Sequence, residues 1–320
     1  MDFKSSLFVY LVTSFGLAFI IDLLLYSSPL TSKALYSQPT AQNIIITSIA
    51  VTAWGLSRMY TPTIAAVVCL ILDKRGIKEA LGRYLNFNRN TLKYFLLAPT
   101  VVYLAFFIFL LLSMAVGALS IEKYVRIVVE GSGGIISEDL ARILLLMELI
   151  LGYLAAITIN SFFALGEEIG WRGYLFELMG KRDDLKSTMI IGSSWGLWHS
   201  TAIILLGFNY PTLRATGIPL FLIYCILLTS LMLKLTARYS SILPAVSIHG
   251  ALNAIWRATT LITELDEAYG GLGLIGIFSW LITAVIIFLL EKYKIIIPVK
   301  DKQYKPENPD KLGYDAGGDS

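Results

Sequence analysis

The stretch Ser161-Phe-Phe-Ala-Leu-Gly-Glu-Glu-Ile-Gly-Trp-Arg-Gly-Tyr174 decides how this chain is read. An apolar lead-in without proline runs straight into two adjacent carboxylates, Glu167 and Glu168, and an arginine follows at Arg172. As helix, Glu168 and Arg172 lie four apart on one face and form an acid–base pair in the favourable orientation. Glu167 then points about 100° away, with no local cation. Two carboxylates at the end of an apolar run are costly to desolvate and call for a reason. The spacing divides the labour: Glu168 is held ionised by Arg172 as a supporting group, and Glu167 is left as a candidate general base.

Outward from this stretch the chain is mostly apolar. Of its 320 residues 56% are hydrophobic and only 15% charged, which excludes an ordinary soluble globular domain. Eight runs, each of roughly 20 residues, are long enough to span a bilayer. They lie near 7–26, 43–72, 94–119, 141–163, 188–206, 217–236, 241–262 and 272–291. Arg58 and Pro62 interrupt the second, which predicts a kink or two half-length helices there. The expected fold is therefore all-α: a polytopic integral membrane protein of about eight transmembrane helices, one domain over 1–299, with chemistry expected in spans four to seven, where the glutamates and both histidines cluster. Residues 300–320 are too polar to fold and read as a disordered cytoplasmic tail. Met1–Ser6 carries one lysine ahead of a run long enough to span, and no cleavable signal or lipidation motif is expected.

Charge placement sets a direction. Counted in alternate connections, nineteen Lys and Arg fall on one side and five on the other. The positive-inside rule puts both termini and the Glu167 segment at the cytoplasmic face. The net charge of +3 belongs to these connections and requires no nucleic-acid partner. Segment 73–93 reads as a short amphipathic element at the cytoplasmic surface, and 120–142 as its counterpart outside, broken by Gly131, Gly133 and Gly134. Cys69 and Cys225, both in apolar runs, read as small filler rather than a disulfide. Asp22 and Arg58 are isolated charges near span ends and read as interfacial or packing groups.

Only two histidines occur, and each has a companion four residues away: Trp195 with His199, and His249 with Asn253. An asparagine one turn from a histidine can orient the ring or bind a carbonyl as it becomes an oxyanion. Both histidines follow a basic connection by about ten residues, so they share the membrane depth that a single site requires. Glycines at 166, 170, 173, 192, 196 and 250 flank the three motifs and would let their helices approach closely.

In this order, on successive apolar segments, Glu-Glu-x-x-x-Arg, aromatic-x-x-x-His and His-x-x-x-Asn resemble the CAAX protease and bacteriocin-processing (Abi, CPBP) family of intramembrane endopeptidases, best known for the type II CAAX prenyl endopeptidases. The resemblance covers about residues 140–262 and departs at Trp195, where the family more often has phenylalanine. It implies a hydrolase in which Glu167 activates water with help from His199. His249 and Asn253 would bind the scissile carbonyl, Glu168 with Arg172 would support the site, and Trp195 would form an aromatic wall for substrate. The implied substrate is a membrane-associated or lipidated peptide. A glutamate with two histidines is also a possible zinc set. The compact His-Glu-x-x-His helix is absent, and a metal-free glutamate mechanism is the expectation. Two other functions stay open at this point: a transporter using the charged residues as a proton or ion relay, and a non-catalytic peptide-binding immunity protein.

Overall fold

The computed structural model describes residues 1–29 and 41–293, excepting the side chains of 41–44; the expected tail over 300–320 lies outside the described residues. Helix α1 spans Phe3–Tyr26 and starts where the Asp2 carboxylate accepts the Ser5 backbone N–H at 2.7 Å. Its buried residues, Ser6, Tyr10, Ser14, Ala18 and Asp22, recur every fourth position, while Phe8, Val12 and Leu24 are exposed. The helix is thus polar inward and apolar outward, as a lipid-facing helix must be.

The interruption at Arg58 and Pro62 takes the expected form. Helix α2 (Ala41–Met59) ends, Tyr60 turns, and α3 (Thr61–Leu72) begins with Pro62 in its first turn, where a missing N–H costs nothing. The amphipathic element is α4 (Ile77–Leu85), which buries Ala80 and Tyr84 and exposes Lys78 and Glu79. Helices α5 (Arg89–Leu97) and α6 (Pro99–Ala115) continue one another. The opposite amphipathic element is α7 (Ile121–Gly131), and Gly133 and Gly134 beyond it adopt positive φ.

The glutamate segment lies inside a helix, not in a connection. Helix α8 (Glu138–Ala156) is followed after a 49° bend by α9 (Ile159–Glu168), which continues as a π-helical segment, Ile169–Leu175, to Leu178. Helix α10 (Leu185–Trp198), capped by Asp184, breaks at His199 before α11 (Ser200–Leu206). Helices α12 (Arg214–Tyr239), α13 (Leu243–Ile255), α14 (Ala258–Leu261) and α15 (Leu274–Lys292) complete the described chain.

The count of eight spans is not reached. Among the described residues six helices are long and apolar enough to cross a membrane, and the bent pair α8–α9 makes a seventh if taken as one span. The run 241–262, read as a span, is instead α13 with the short α14. At 13 residues α13 is about 20 Å long, against a hydrocarbon core of about 30 Å. Eleven of its residues are buried. It is apolar all round because protein, not lipid, surrounds it.

The connections nevertheless fall into two sets that touch among themselves. In one, the Met1 amino group meets Asp73 at 2.7 Å, Arg75 meets Glu177 at 2.8 Å, the Ile242 N–H donates to the Tyr84 carbonyl and Arg238 meets Glu291 at 2.9 Å. In the other, the Ser120 N–H donates to the Ile262 carbonyl, Arg142 meets Glu122 at 2.8 Å and the Tyr210 hydroxyl donates to the Leu272 carbonyl at 2.7 Å. This is the alternation assumed in counting the charges. Residues 243–261 carry the chain between the two sets without the length to cross unaided.

Candidate active site

The site forms where α9, α10, α12 and α13 meet. Small residues set the distances. A Cβ on Gly250 would come within 2.3 Å of the Ala156 carbonyl oxygen, and one on Gly192 within 2.8 Å of the Ile226 Cα. Gly170 likewise lies against Pro62 and Tyr10. Backbones this close bring side chains from separate helices to one point. The π-helical segment begins at once after Glu168, the kind of irregularity that accompanies functional positions.

Glu168 and Arg172 pair as their spacing predicts, Oε1 to Nη1 at 3.1 Å, with both side chains fully buried. The other end of the guanidinium donates to the Thr229 hydroxyl at 2.8 Å. The same Glu168 oxygen accepts from His249 Nδ1 at 2.8 Å. Arg172, Glu168 and His249 therefore form one line of contacts, which turns His249 Nε2 toward Glu167, 3.9 Å from its Oε1. The second Glu167 oxygen accepts the Trp195 indole N–H at 2.6 Å. Glu167 and His249 are only 2% and 4% exposed.

Trp195 is the centre of the cluster. Its ring lies 5.3 Å from that of His249 and 6.2 Å from that of His199, centroid to centroid, and the Arg172 guanidinium sits 4.2 Å from its face. It is buried among these groups and holds Glu167 through its indole N–H. His199 closes the break between α10 and α11, 7% exposed, with Nδ1 at 2.9 Å from the Trp195 carbonyl. A carbonyl oxygen only accepts, so Nδ1 carries the proton and the neutral ring keeps a lone pair on Nε2.

Asn253 stands apart from this group. One turn beyond His249 on α13, it is exposed into a groove of about 510 Å³ that Tyr124, Glu148 and Asn160 also line. The structure thus brings Glu167, Glu168, Arg172, Trp195, His199 and His249 together and sets Asn253 beside them. Among the described residues no group of three or more His, Cys, Asp or Glu side chains is arranged to hold a metal ion. Glu167, His199 and His249 do not form the zinc set that their residue types allow.

Two features escaped the reading of the sequence. Asp22 and Arg58 are not separate interfacial charges: they form a buried ion pair, Nε to Oδ1 at 2.9 Å, next to the helix break at His199. A lone acid and a lone base in consecutive apolar runs were the available signal. Glu177 is the other. It is 2% exposed and is met by Arg75, Arg83 and the Tyr84 hydroxyl, which fastens α4 to the end of the glutamate-bearing helix. Burial, together with Glu177, holds the Tyr84 phenol well above its usual range, so it stays a donor.

Fold and site define a class: a polytopic helical membrane protein with buried glutamates, histidines and an arginine gathered where four helices cross. Residues 147–255, which include all three motifs, match the family described as type II CAAX prenyl endopeptidase Rce1-like. A CAAX prenyl protease 2 from Methanococcus maripaludis is 31% identical over 152 residues, covering 45% of this chain and 48% of that protein. The chain thus spans about half the length of that relative. The resemblance drawn from three short motifs is found again over the segment that carries them.

Proposed function

We propose that this protein is an intramembrane endopeptidase that hydrolyses a peptide bond of a membrane-associated substrate, of the prenylated CAAX or bacteriocin type, near the cytoplasmic face. The observation that carries the reading is the convergence on Trp195 of a carboxylate and two imidazoles from three helices, none of them neighbours in sequence.

In this mechanism Glu167 takes a proton from the attacking water. The Trp195 N–H fixes one carboxylate oxygen and leaves Oε1 for that transfer. His199, protonated on Nδ1 by its contact with the Trp195 carbonyl, offers the Nε2 lone pair to the same water. His249 is the electrophilic partner. With both nitrogens protonated it donates from Nδ1 to Glu168 and presents an Nε2–H to the carbonyl oxygen as charge develops. Glu167, Glu168, Arg172 and His249 then sum to zero charge, a condition that favours such a set in a low-dielectric interior. Asn253 would add a second donor from the neighbouring groove. Proton return from Glu167 to the leaving amine closes the cycle.

Glu167→Gln keeps the shape and removes the base. We expect peptidase activity on a farnesylated CAAX peptide to fall by about 10² or more, while the variant remains folded in detergent. Activity within threefold of the natural protein would remove Glu167 from the reaction.

A further inference from the structure

Asp22 and Arg58 form a buried ion pair that the proposed mechanism does not use. Asp22 is fully buried and Arg58 is 3% exposed. Such a pair could simply join α1 to α2, but its remaining contacts go elsewhere. Arg58 Nη2 donates to the Trp198 carbonyl at 2.7 Å, and its guanidinium lies 3.7 Å from the Trp198 ring. Asp22 accepts from the Trp54 indole at 2.9 Å and, at very short range, from the Thr201 hydroxyl. The pair therefore grips residue 198 on one side of the helix break and residue 201 on the other. His199 is the residue between α10 and α11. The Trp198 indole, anchored by its N–H on the Thr61 hydroxyl at 3.2 Å, stands perpendicular to the His199 ring at 4.8 Å.

We infer that Asp22 and Arg58 are positioning residues for His199. They fix the backbone on both sides of the break and the ring that packs against the imidazole, and so aim Nε2 into the site. The inference rests on the catalytic reading of His199 given above, but its physical part is separable from that reading. At this break the His199 N–H turns to the Gly196 carbonyl three residues back, at 3.2 Å, and the regular i to i−4 ladder is interrupted. Without the pair, the turn at His199 would be free to relax by the ångström or so that costs a reaction about two orders of magnitude.

The test uses the full-length protein in detergent. Arg58→Lys keeps a cation beside Asp22 but loses the planar fork that reaches both the carboxylate and the Trp198 carbonyl. Asp22→Leu combined with Arg58→Met removes both charges, so that neither is buried alone. The chain has only two histidines, so 13C-labelled histidine gives one ring signal from each, assigned with His249→Gln. For both variants we expect kcat to fall tenfold to a hundredfold with KM within twofold. The His199 signal should move and the His249 signal should stay. A pair that only stabilised the fold would leave kcat and the His199 signal unchanged in any folded variant. An unmoved His199 signal, or a kcat within threefold of the natural protein, overturns the inference. Should the natural protein cleave no peptide at all, the proposed function fails, and the His199 signal alone decides whether the pair positions that ring.

Discussion

Trp195 does for Glu167 what phenylalanine at the same place would not. It fills the centre of the cluster as any large aromatic would, and its N–H also occupies one oxygen of the buried carboxylate at 2.6 Å. Hydrogen bonds to a charged group contribute about 1.5–3 kcal/mol, and a carboxylate stripped of its donor also gains rotational freedom. Trp195→Phe should therefore retain the packing against His249 and Arg172 while lowering kcat by tenfold or more. Steady-state kinetics on the same peptide checks this, with thermal unfolding as the control for folding. A kcat unchanged within twofold would mean that the indole N–H serves packing alone. The spacing of Glu167, Glu168 and Arg172 was sufficient to separate the two glutamates, because helical periodicity is a local property. That Glu168 would pass its charge on to His249, eighty-one residues away, was beyond local reasoning.

At the scale of elements, glycine spacing sets where the helices cross. Gly250 packs against the break between α8 and α9, where the Ser161 hydroxyl donates to the Ala156 carbonyl at 2.6 Å. A methyl at Gly250 would meet that carbonyl oxygen at 2.3 Å and the Ser161 nitrogen at 3.0 Å, and backbone atoms at a bend cannot yield by rotating. Overpacking of this kind costs about 1–3 kcal/mol. Gly250→Ala should lower the thermal midpoint by several degrees and displace His249, one residue earlier, with loss of activity. Gly82→Ala on α4, where nothing lies within 4 Å, is the control and should be neutral or slightly stabilising. Equal midpoints for the two variants would show that the close approach at Gly250 is not tight. The sequence made most elements legible through apolar length and through polar connections bearing glycine. At α13 it left the length open, because the run is as apolar as a full span although the helix has only 13 residues and protein encloses it. Hydropathy measures what a segment can be buried in, and hydrocarbon and protein interior give the same answer. The Asp22–Arg58 pair was legible only as a lone acid and a lone base, since two charges 36 residues apart reveal their contact only after the helices are placed.

For the molecule as a whole, at most seven stretches among the described residues are long enough to cross the membrane unaided. The contacts among connections favour eight passages. Residues 240–242 lie with 84–86, while 262–264 lie with 118–123, so α13 and α14 run between the two sets. A helix of about 20 Å can serve as a passage if its neighbours shield its ends, and the burial of α13 provides that shielding. The basic set, which contains 73–88, should then face the cytoplasm. Single cysteines at Lys78, Glu130, Ser240 and Glu264, all exposed, test this in intact cells with a membrane-impermeant maleimide. Cys69 and Cys225 are buried and should contribute little background. We expect Glu130→Cys and Glu264→Cys to react from outside, and Lys78→Cys and Ser240→Cys only after the membrane is opened. Equal labelling of Ser240→Cys and Glu264→Cys from one face would show that α13 turns back within the membrane. It would then enter and leave on one side, and the charge asymmetry that oriented the whole chain would have to be recounted from residue 240 onward.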